Sequence, residues 1–330
     1  MIPMPRASIV VPAFNASVTL GETLDSLLRQ TLRDIEIVVV DDGSTDATPR
    51  IVRRIARFDP RVRLVRQANR GLAGARNTGI AAARADVVGF CDADDAWEPT
   101  KIAAHVAHLD GAPEVGLSYS GSSLIDARGR PTGHAQRPRL GTVDAAHVLK
   151  RNPIGNGSAP VMRRAALDAL AWTPPGETER PWVFDETFRR SEDIECWLRL
   201  AATTRWRIAG IPGALTRYRV SPGGLSADTA RQLESWEAMV AKLAPLAPAL
   251  FARHLPAARA YQLRYLARRA VSARDPGALA LVRRANAASL RPWIEEPAKT
   301  AVTAAAAALL AAAGPFALDR IDAARQRAAT

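Results

Sequence analysis

The stretch Val87–Trp97 reads VVGFCDADDAW: an apolar run, then three carboxylates within four positions, Asp92, Asp94 and Asp95. Like charges this close repel one another and gain little by burial, so their place at the end of an apolar run needs a reason. The run VVGF itself reads as a short buried strand. Three similar runs precede it, SIVVPA at Ser8–Ala13, IEIVVV at Ile35–Val40 and VRLV at Val62–Val65. Between them apolar residues recur at helical spacing: Leu20, Leu24, Leu27 and Leu28, then Ile51, Val52, Ile55 and Phe58, then the segment GLAGARNTGIAAAR. Ser17 and Thr19 stand upstream of the first helix as its expected caps. Strand and helix in alternation through short connections predict βαβ units and a parallel sheet. In open parallel sheets, ligands bind beyond the carboxyl ends of the strands. PAFN after the first strand, DDGSTD after the second and CDADD after the fourth therefore share one rim, and the carboxylates line a ligand crevice.

The 330 residues, 48% hydrophobic and 24% charged, describe a globular chain long enough for one large domain or two modest ones. Net charge is +12, of which the segment after residue 220 holds the larger share per residue. Such a surplus attracts anions: nucleic acid, anionic lipid or phosphorylated substrates. No aromatic–basic interleaving or known motif supports nucleic-acid binding, and no G-x-G-x-x-G follows the first strand, which argues against a dinucleotide-binding oxidoreductase. Cys91 and Cys196 offer neither a disulfide framework nor metal-ligand spacing. The start MIPMPRASIVVPAFN lacks a signal-peptide pattern, so a cytoplasmic location is expected. From about residue 110 to 220 the pattern loosens into short strands and loops, and TPPGETERPW (Thr173–Trp182) reads as a mobile loop. After Ser221 the chain reads as Ala/Arg-rich helix. Ala301–Leu318 carries no charge, but it is mostly Ala and is interrupted at Gly314–Pro315, so a packed or membrane-surface helix is expected rather than a span.

Two carboxylates one residue apart, Asp92 and Asp94, suit a hard divalent cation that keeps water and phosphate in its shell; a solvated acidic turn explains them equally well. Asp41 or Asp42 either accepts hydrogen bonds from a ribose or base imide, or belongs to a turn in which Gly43 supplies the unusual φ and Thr45 or Asp46 caps the next helix. Arg76 and Asn77 lie near a helix start, facing phosphate or nucleoside, or solvent. Glu192 and Asp193 open the amphipathic helix EDIECWLRLA, where carboxylates are favoured in any case.

Taken together, SIVVPAFNASVTLGETLDSLLRQTLRDIEIVVVDDGSTD and NRGLAGARNTGIAAARADVVGFCDADDAWEPTKI resemble the amino-terminal half of the family 2 inverting glycosyltransferases. Order, spacing and motif wording agree over residues 7–110, and more thinly to 226. The resemblance implies an α/β chain of GT-A type, a nucleotide-diphospho-sugar transferase fold with a mostly parallel central sheet flanked by helices. It would fill residues 1–226, a nucleotide-binding half over 1–110 and an acceptor half over 111–226, with a helical extension over 227–330. The donor is then a nucleotide sugar, a UDP-sugar by family habit, and the acceptor a glycan or lipid-linked saccharide. Pro12, Ala13, Phe14, Asn15 and Asp42 would surround the nucleobase, with Asp41 nearby; Arg76, Asn77, Asp92 and Ala93 would complete the donor site. Asp94, helped by Asp92, would be the D-x-D ligand of Mg²⁺ or Mn²⁺. Asp95, Trp97, Pro99 and Lys101 match the tail of that motif and read as structural. Asp193 would be the general base that inverting transfer needs, with Glu192 supporting.

The chain departs from the pattern at one point. Many relatives carry a His in the strand after "YR" that completes the metal shell; here Val220 and Ser221 stand there. Arg217 and Arg219 are diphosphate partners or edge-strand charges, and Trp182 stacks on a sugar or is a partly buried aromatic. NPIGNGSAPVMRR would form one wall of the acceptor site. The basic tail, with Arg264, Arg268 and Arg269, would suit peripheral attachment to an anionic membrane, or forms a helical cap. A non-catalytic module keeping the same fold as a scaffold is the competing reading.

Overall fold

The computed structural model describes residues 4–220, 229–316 and 319; Ser221 and the expected boundary at 226/227 lie outside the described residues. Apolar periodicity is realised as ten strands and twelve α-helices among the described residues. The strands are β1 Ala7–Ala13, β2 Ile35–Asp41, β3 Val62–Arg66, β4 Val87–Phe90, β5 Ala96–Trp97, β6 Val115–Ile125, β7 Pro131–Gln136, β8 Gly141–Val143, β9 Pro160–Arg163 and β10 Arg207–Arg219. The helices are α1 Leu20–Leu28, α2 Thr48–Ala56, α3 Gly71–Ala82, α4 Lys101–Gly111, α5 Ala145–Lys150, α6 Arg164–Asp168, α7 Glu192–Thr203, α8 Thr229–Leu243, α9 Pro248–Ser272, α10 Ala278–Ala288, α11 Arg291–Glu295 and α12 Pro297–Ala313.

One sheet runs in the order β3-β2-β1-β4-β9-β6-β10-β5, with β7 beside β6 and β8 beside β10. Its first four strands are parallel, as the alternation predicts. Beyond β4 the sheet is mixed: β9 pairs antiparallel with both β4 and β6, and β6 pairs parallel with β10. The region expected to hold short strands and loops does contain the short β7, β8 and β9, but also the 11-residue β6 and the 13-residue β10. Both faces of β1 and β2 are buried, which is why those strands read as continuous apolar runs. Ile9, Val11, Ile37 and Val39 pack with Leu24 and Leu27 of α1 and with Trp97 and Ile102, each burial contributing about 1.5–3 kcal/mol. Phe58 is not part of this packing: α2 ends before it and it is exposed.

Thr19 does not cap α1 with its side chain. Its hydroxyl donates to the Ala93 carbonyl at 2.9 Å, as does Thr23 Oγ1 at 3.0 Å, so these two residues tie α1 to the acidic loop. Asp46 does serve the next helix, accepting from the Thr48 N–H at 2.9 Å, and Gly43 has φ +81°. The Thr173–Trp182 loop is pinned: Trp172 and Trp182 form a backbone bridge, and Arg70 forms ion pairs with Glu177, Glu179 and Glu186.

The chain divides into two compact units, one holding β1–β10, α1–α4, α6, α7 and α5 up to Val148, the other α8–α12 with Leu149–Arg151. In the helical unit, Ala267, Ala270, Ala278, Val282, Ala307 and Leu310 form a core of small residues. Arg264 is committed there, paired with Glu296 and donating to Thr300 Oγ1 at 2.8 Å, so it is not a free surface cation. No helix among the described residues is long and apolar enough to cross a membrane, and α12 ends at Gly314, with φ +70°; Leu318 lies outside the described residues.

The first helix after β3 sits so close to the sheet that a Cβ on Gly79 of α3 would lie 2.2 Å from Val10 Cγ1 of β1. Alanine is the better helix former by about 1 kcal/mol, but overpacking costs about 1–3 kcal/mol. Gly79→Ala should therefore lower the denaturation midpoint, and Val10→Ala in the same chain should recover part of the loss. Urea titration of the two single variants and the double variant checks this; strict additivity would show that the contact is not the cause.

Candidate active site

The rim at the carboxyl ends of β1, β2 and β4 is organised around the acidic loop that follows β4. Asp95 is buried inside it: Oδ2 accepts from Ser158 Oγ at 2.6 Å and Oδ1 from the Arg219 N–H at 2.8 Å. Burial, with the charges of Asp92 and Asp94, pushes its pKa well above the usual carboxylate range. Ser158 also accepts the Asp92 N–H at 2.8 Å, and its carbonyl accepts Trp97 Nε1 at 3.1 Å. Arg219 closes the loop from the other side, donating from Nε to the Asp94 carbonyl at 2.7 Å, from Nη1 to the carbonyls of Asp126 and Ala127, and from Nη2 to Glu22 at 2.6 Å. Lys101 is buried, donates to the Ala159 carbonyl at 2.7 Å and lies over the Trp97 ring; burial lowers its pKa to about 7. Asp95, Trp97 and Lys101 are structural, as expected.

Asp92 and Asp94 differ from Asp95. Asp92 uses one oxygen, Oδ1, to accept Arg76 Nη2 at 2.9 Å. Asp94 is exposed, and its pKa is raised to about 6 by desolvation in the crevice and by the charge of Asp92. Crowding of this kind is what a bound cation relieves. Among the described residues no group of three or more His, Cys, Asp or Glu side chains is arranged to hold a metal ion, so this donor set fits a cation that keeps most of its shell for water and phosphate.

The buried Arg76 guanidinium links this loop to α7: Nη1 donates to Glu192 Oε1 at 2.8 Å and the group lies 5.4 Å from the centroid of the Phe184 ring. Two carboxylates raise its pKa against the opposing effect of burial. Asp193, half-buried at the start of α7, accepts the Ile194 N–H at 2.7 Å. Burial and the neighbouring Glu192 raise its pKa to about 7. The residue before the pair, Ser191, has φ +61°, a left-handed conformation uncommon outside Gly and Asn.

The other sequence-expected residues divide sharply. Phe14 is 52% exposed at the rim, whereas Pro12 and Ala13 are buried in β1. Asn15, at φ +48°, braces the DDGSTD turn by accepting the Thr45 N–H at 2.9 Å. Asp41 pairs with Arg66 at 2.8 Å and accepts the Ser44 N–H. Asp42 spends both oxygens on Gln67 Nε2 and on the N–H groups of Arg70 and Gly71, so in this structure it caps α3. Asn77 has no side-chain atom left over: Nδ2 donates to the Phe184 carbonyl and Glu186, and Oδ1 accepts the N–H groups of Val183 and Phe184. It latches that segment onto α3. Ala93 contributes its carbonyl to Thr19 and Thr23. Arg219 is consumed by the acidic loop, whereas Arg217 only lies 3.6 Å from Glu98, and its Nε is buried without a hydrogen-bond partner among the described residues. Trp182 packs edge-on against Trp172 and donates to Glu177 at 2.7 Å, within its own loop.

Sequence reasoning missed Ser158 and Phe184, because their partners are far away in the chain. Gly157 is a further member: a Cβ there would lie 2.1 Å from Arg76 Nη2.

The profile described as Glycosyl transferase family 2 matches residues 8–170. The succinoglycan biosynthesis protein ExoO of Rhizobium meliloti is 30% identical over 247 residues, 72% of this chain and 67% of that protein. The uncharacterized glycosyltransferase EpsJ of Bacillus subtilis, the uncharacterized glycosyltransferase alr2836 of Nostoc and the putative glycosyltransferase EpsH of Bacillus subtilis match at 51%, 36% and 42% identity over 28%, 44% and 29% of this chain, but the chain aligns with only 27%, 45% and 28% of their length. Among solved structures, S. aureus TarS 1–349 in complex with UDP-GlcNAc has a TM-score of 0.57 at 19% identity, covering 91% of this chain and 89% of that one. The mannosyltransferase PcManGT from Pyrobaculum calidifontis, in complex with GDP-Man and Mn²⁺, has a TM-score of 0.56 at 22% identity, covering 95% and 89%. These two likenesses establish a GT-A fold.

Asp193 releases its proton near 3.9 in an unfolded chain but near 7 in the folded one. The folded state thus holds more protons between about pH 4 and pH 7, and stability falls as pH rises through that window. Asp94 and Asp95 act in the same direction. Asp193→Asn, neutral at every pH, should flatten part of the fall. Thermal unfolding at pH 5 and pH 8 measures it; parallel Tm changes in wild type and variant would mean that Asp193 ionises as an ordinary exposed carboxylate.

Proposed function

The chain belongs to glycosyl transferase family 2, and from that premise we propose that it is a metal-dependent inverting transferase. It moves a sugar from a nucleoside diphosphate donor, a UDP-sugar first among the candidates, to a hydroxyl of a glycan or lipid-linked acceptor in polysaccharide assembly. The observation that carries the reading is the Arg76 bridge: Nη2 to Asp92 and Nη1 to Glu192 bring the D-x-D loop and the catalytic helix to one crevice. Neighbours solved with UDP-GlcNAc and with GDP-Man and Mn²⁺ support a nucleotide-sugar donor and a divalent ion.

Asp94 and the free oxygen of Asp92 would hold Mg²⁺ or Mn²⁺, which supplies positive charge to neutralise the donor diphosphate. Phe14 offers its exposed ring to the nucleobase at the rim. Asp193 takes the proton from the acceptor hydroxyl as that oxygen bonds to the anomeric carbon; the bond to the diphosphate oxygen breaks on the opposite face and the nucleoside diphosphate leaves. A carboxylate with its pKa near 7 is well matched to this task at neutral pH. Glu192 pairs with Arg76 and keeps α7 in place. Peripheral association with the inner face of the cell membrane belongs to the same reading. It rests on the exposed Arg268 and on the outward face of α12, where Ala301, Val302, Ala305 and Ala308 are exposed and uncharged.

Calorimetric titration with UDP, GDP and dTDP, with and without Mn²⁺, tests the donor half of the proposal. Binding of one nucleotide should need the metal and should be lost in Asp94→Ala. Asp193→Asn should keep that binding while transfer falls about 10²–10⁴-fold. Failure of the wild-type chain to bind any of the three nucleotides under either condition would overturn the transferase reading.

A further inference from the structure

The chain from Val183 to Arg189 runs back along α3 in steps of one helical turn. Asn77 holds the N–H groups of Val183 and Phe184. At Gly74, one turn earlier, a Cβ would lie 3.1 Å from Glu186 Oε2. At Gly71, the first residue of the helix, a Cβ would lie 2.3 Å from Arg189 Nη1 and 3.5 Å from its Cζ. The Arg189 guanidinium therefore rests on Gly71, in space that any side chain at that position would take. Other arginines around the start of α3 are ion-paired: Arg66 with Asp41, Arg70 with Glu177, Glu179 and Glu186, and Arg180 with Glu186. Arg189 is exposed, and its guanidinium forms no hydrogen bond or ion pair among the described residues.

The sheet order brings a nucleotide to this arginine. β2, β1 and β4 are parallel neighbours, so the loops after them share one rim. Two strand spacings, about 10 Å, separate the end of β4 from the end of β2, which is the span from a diphosphate to its base. With the diphosphate at Asp92 and Asp94, the nucleoside crosses Phe14 beyond β1 and the base arrives beside Asp42 beyond β2. Asp42 accepts the Gly71 N–H there at 2.9 Å, so the base meets the start of α3 and the guanidinium seated on it.

We propose that Arg189 reads the nucleobase of the donor, donating to the exocyclic oxygen of uracil, thymine or guanine. This rests on the transferase reading above and adds a residue that sets which bases the chain accepts. A guanidinium has five N–H donors and no acceptor. Where uracil and guanine carry that oxygen, cytosine and adenine carry an amino group, which also donates. An oxo base therefore pairs with Arg189 and an amino base leaves it facing another donor.

Calorimetric titration with Mn²⁺, using UDP against CDP and GDP against ADP, tests the assignment, because the members of each pair share sugar and phosphates. The wild-type chain should bind the oxo member of a pair more tightly than the amino member. Arg189 is exposed and unpaired, so Arg189→Ala keeps the fold. That variant should bind the oxo nucleotide about tenfold more weakly, as expected for one lost hydrogen bond to a charged group. Its affinity for the amino nucleotide should not change, so the preference collapses. Arg189→Lys, which still donates, should retain part of it. An equal loss for both members would overturn the assignment, since it marks a contact with the shared phosphates or a merely structural role. Unchanged binding of the oxo nucleotide, or a wild-type preference for the amino one, would overturn it as well. Each of these results leaves the transferase reading standing, because the wild-type chain still binds nucleotide. If the wild-type chain binds none of the nucleotides, both readings fall together.

Discussion

A guanidinium withdrawn from water holds the site together. Desolvating a charge costs several kcal/mol even after relaxation, and Arg76 accepts that cost because two carboxylates from distant parts of the chain meet it: Asp92 beyond β4 and Glu192 in α7. The partners are one hundred residues apart, so the bridge decides where α7 stands relative to the acidic loop. Removing either partner would leave a buried charge short of compensation, which is far more disruptive than losing an exposed pair. The surroundings are shaped for the same purpose. Phe184 presents its ring to Arg76 and is itself wedged edge-on between Phe90 and Trp197, Asn77 latches the Phe184 backbone, and Gly157 leaves the space that Nη2 occupies.

The three clustered aspartates that open the question of this chain divide their labour by environment. Asp95 is spent on Ser158 and the Arg219 backbone, and holds the loop in shape. Asp92 is half spent, one oxygen on Arg76. Asp94 has no such partner and sits exposed at the lip. Burial, together with the repulsion among them, raises the pKa of Asp94 and Asp95, so the folded chain stores an unfavourable charge arrangement. Strain of this sort persists only where the scaffold over-determines it, and here Ser158, Arg219, Thr19 and Thr23 together do so.

Most of the sheet was legible because local apolar periodicity decides β1–β4 and α1–α3, and because those strands are buried on both faces. The mixed half was not. β9 inserts antiparallel between β4 and β6 through pairings some seventy and forty residues apart, and nothing in PVMR announces that partner. The Phe58 position misled because helical spacing continues one step past the point where α2 loses its contact with the core. At the site, residue types were readable but their employment was not. Asp42, Asn77 and Arg219 look like ligand contacts in sequence, and each turns out to satisfy backbone or side-chain groups of loops that pack onto it. Asp92, Asp94, Glu192 and Asp193 stood out in sequence as carboxylate pairs at strand and helix ends, although turn and helix-start preferences account for such pairs as well.

Commitment, then, is the useful criterion for separating framework from function on this rim. A polar side chain whose every hydrogen-bonding atom already has a protein partner is part of the scaffold that a ligand meets, since freeing it costs about as much as a new contact returns. A polar side chain left open among buried neighbours is available only because the fold has positioned it against its own electrostatic preference. Asp94 and Asp193 meet that description from two separate elements, the loop after β4 and the first turn of α7. Their convergence depends on long-range pairing through Arg76, Ser158 and Arg219 and not on any short motif, which is why the acidic motif alone locates the crevice without describing its chemistry.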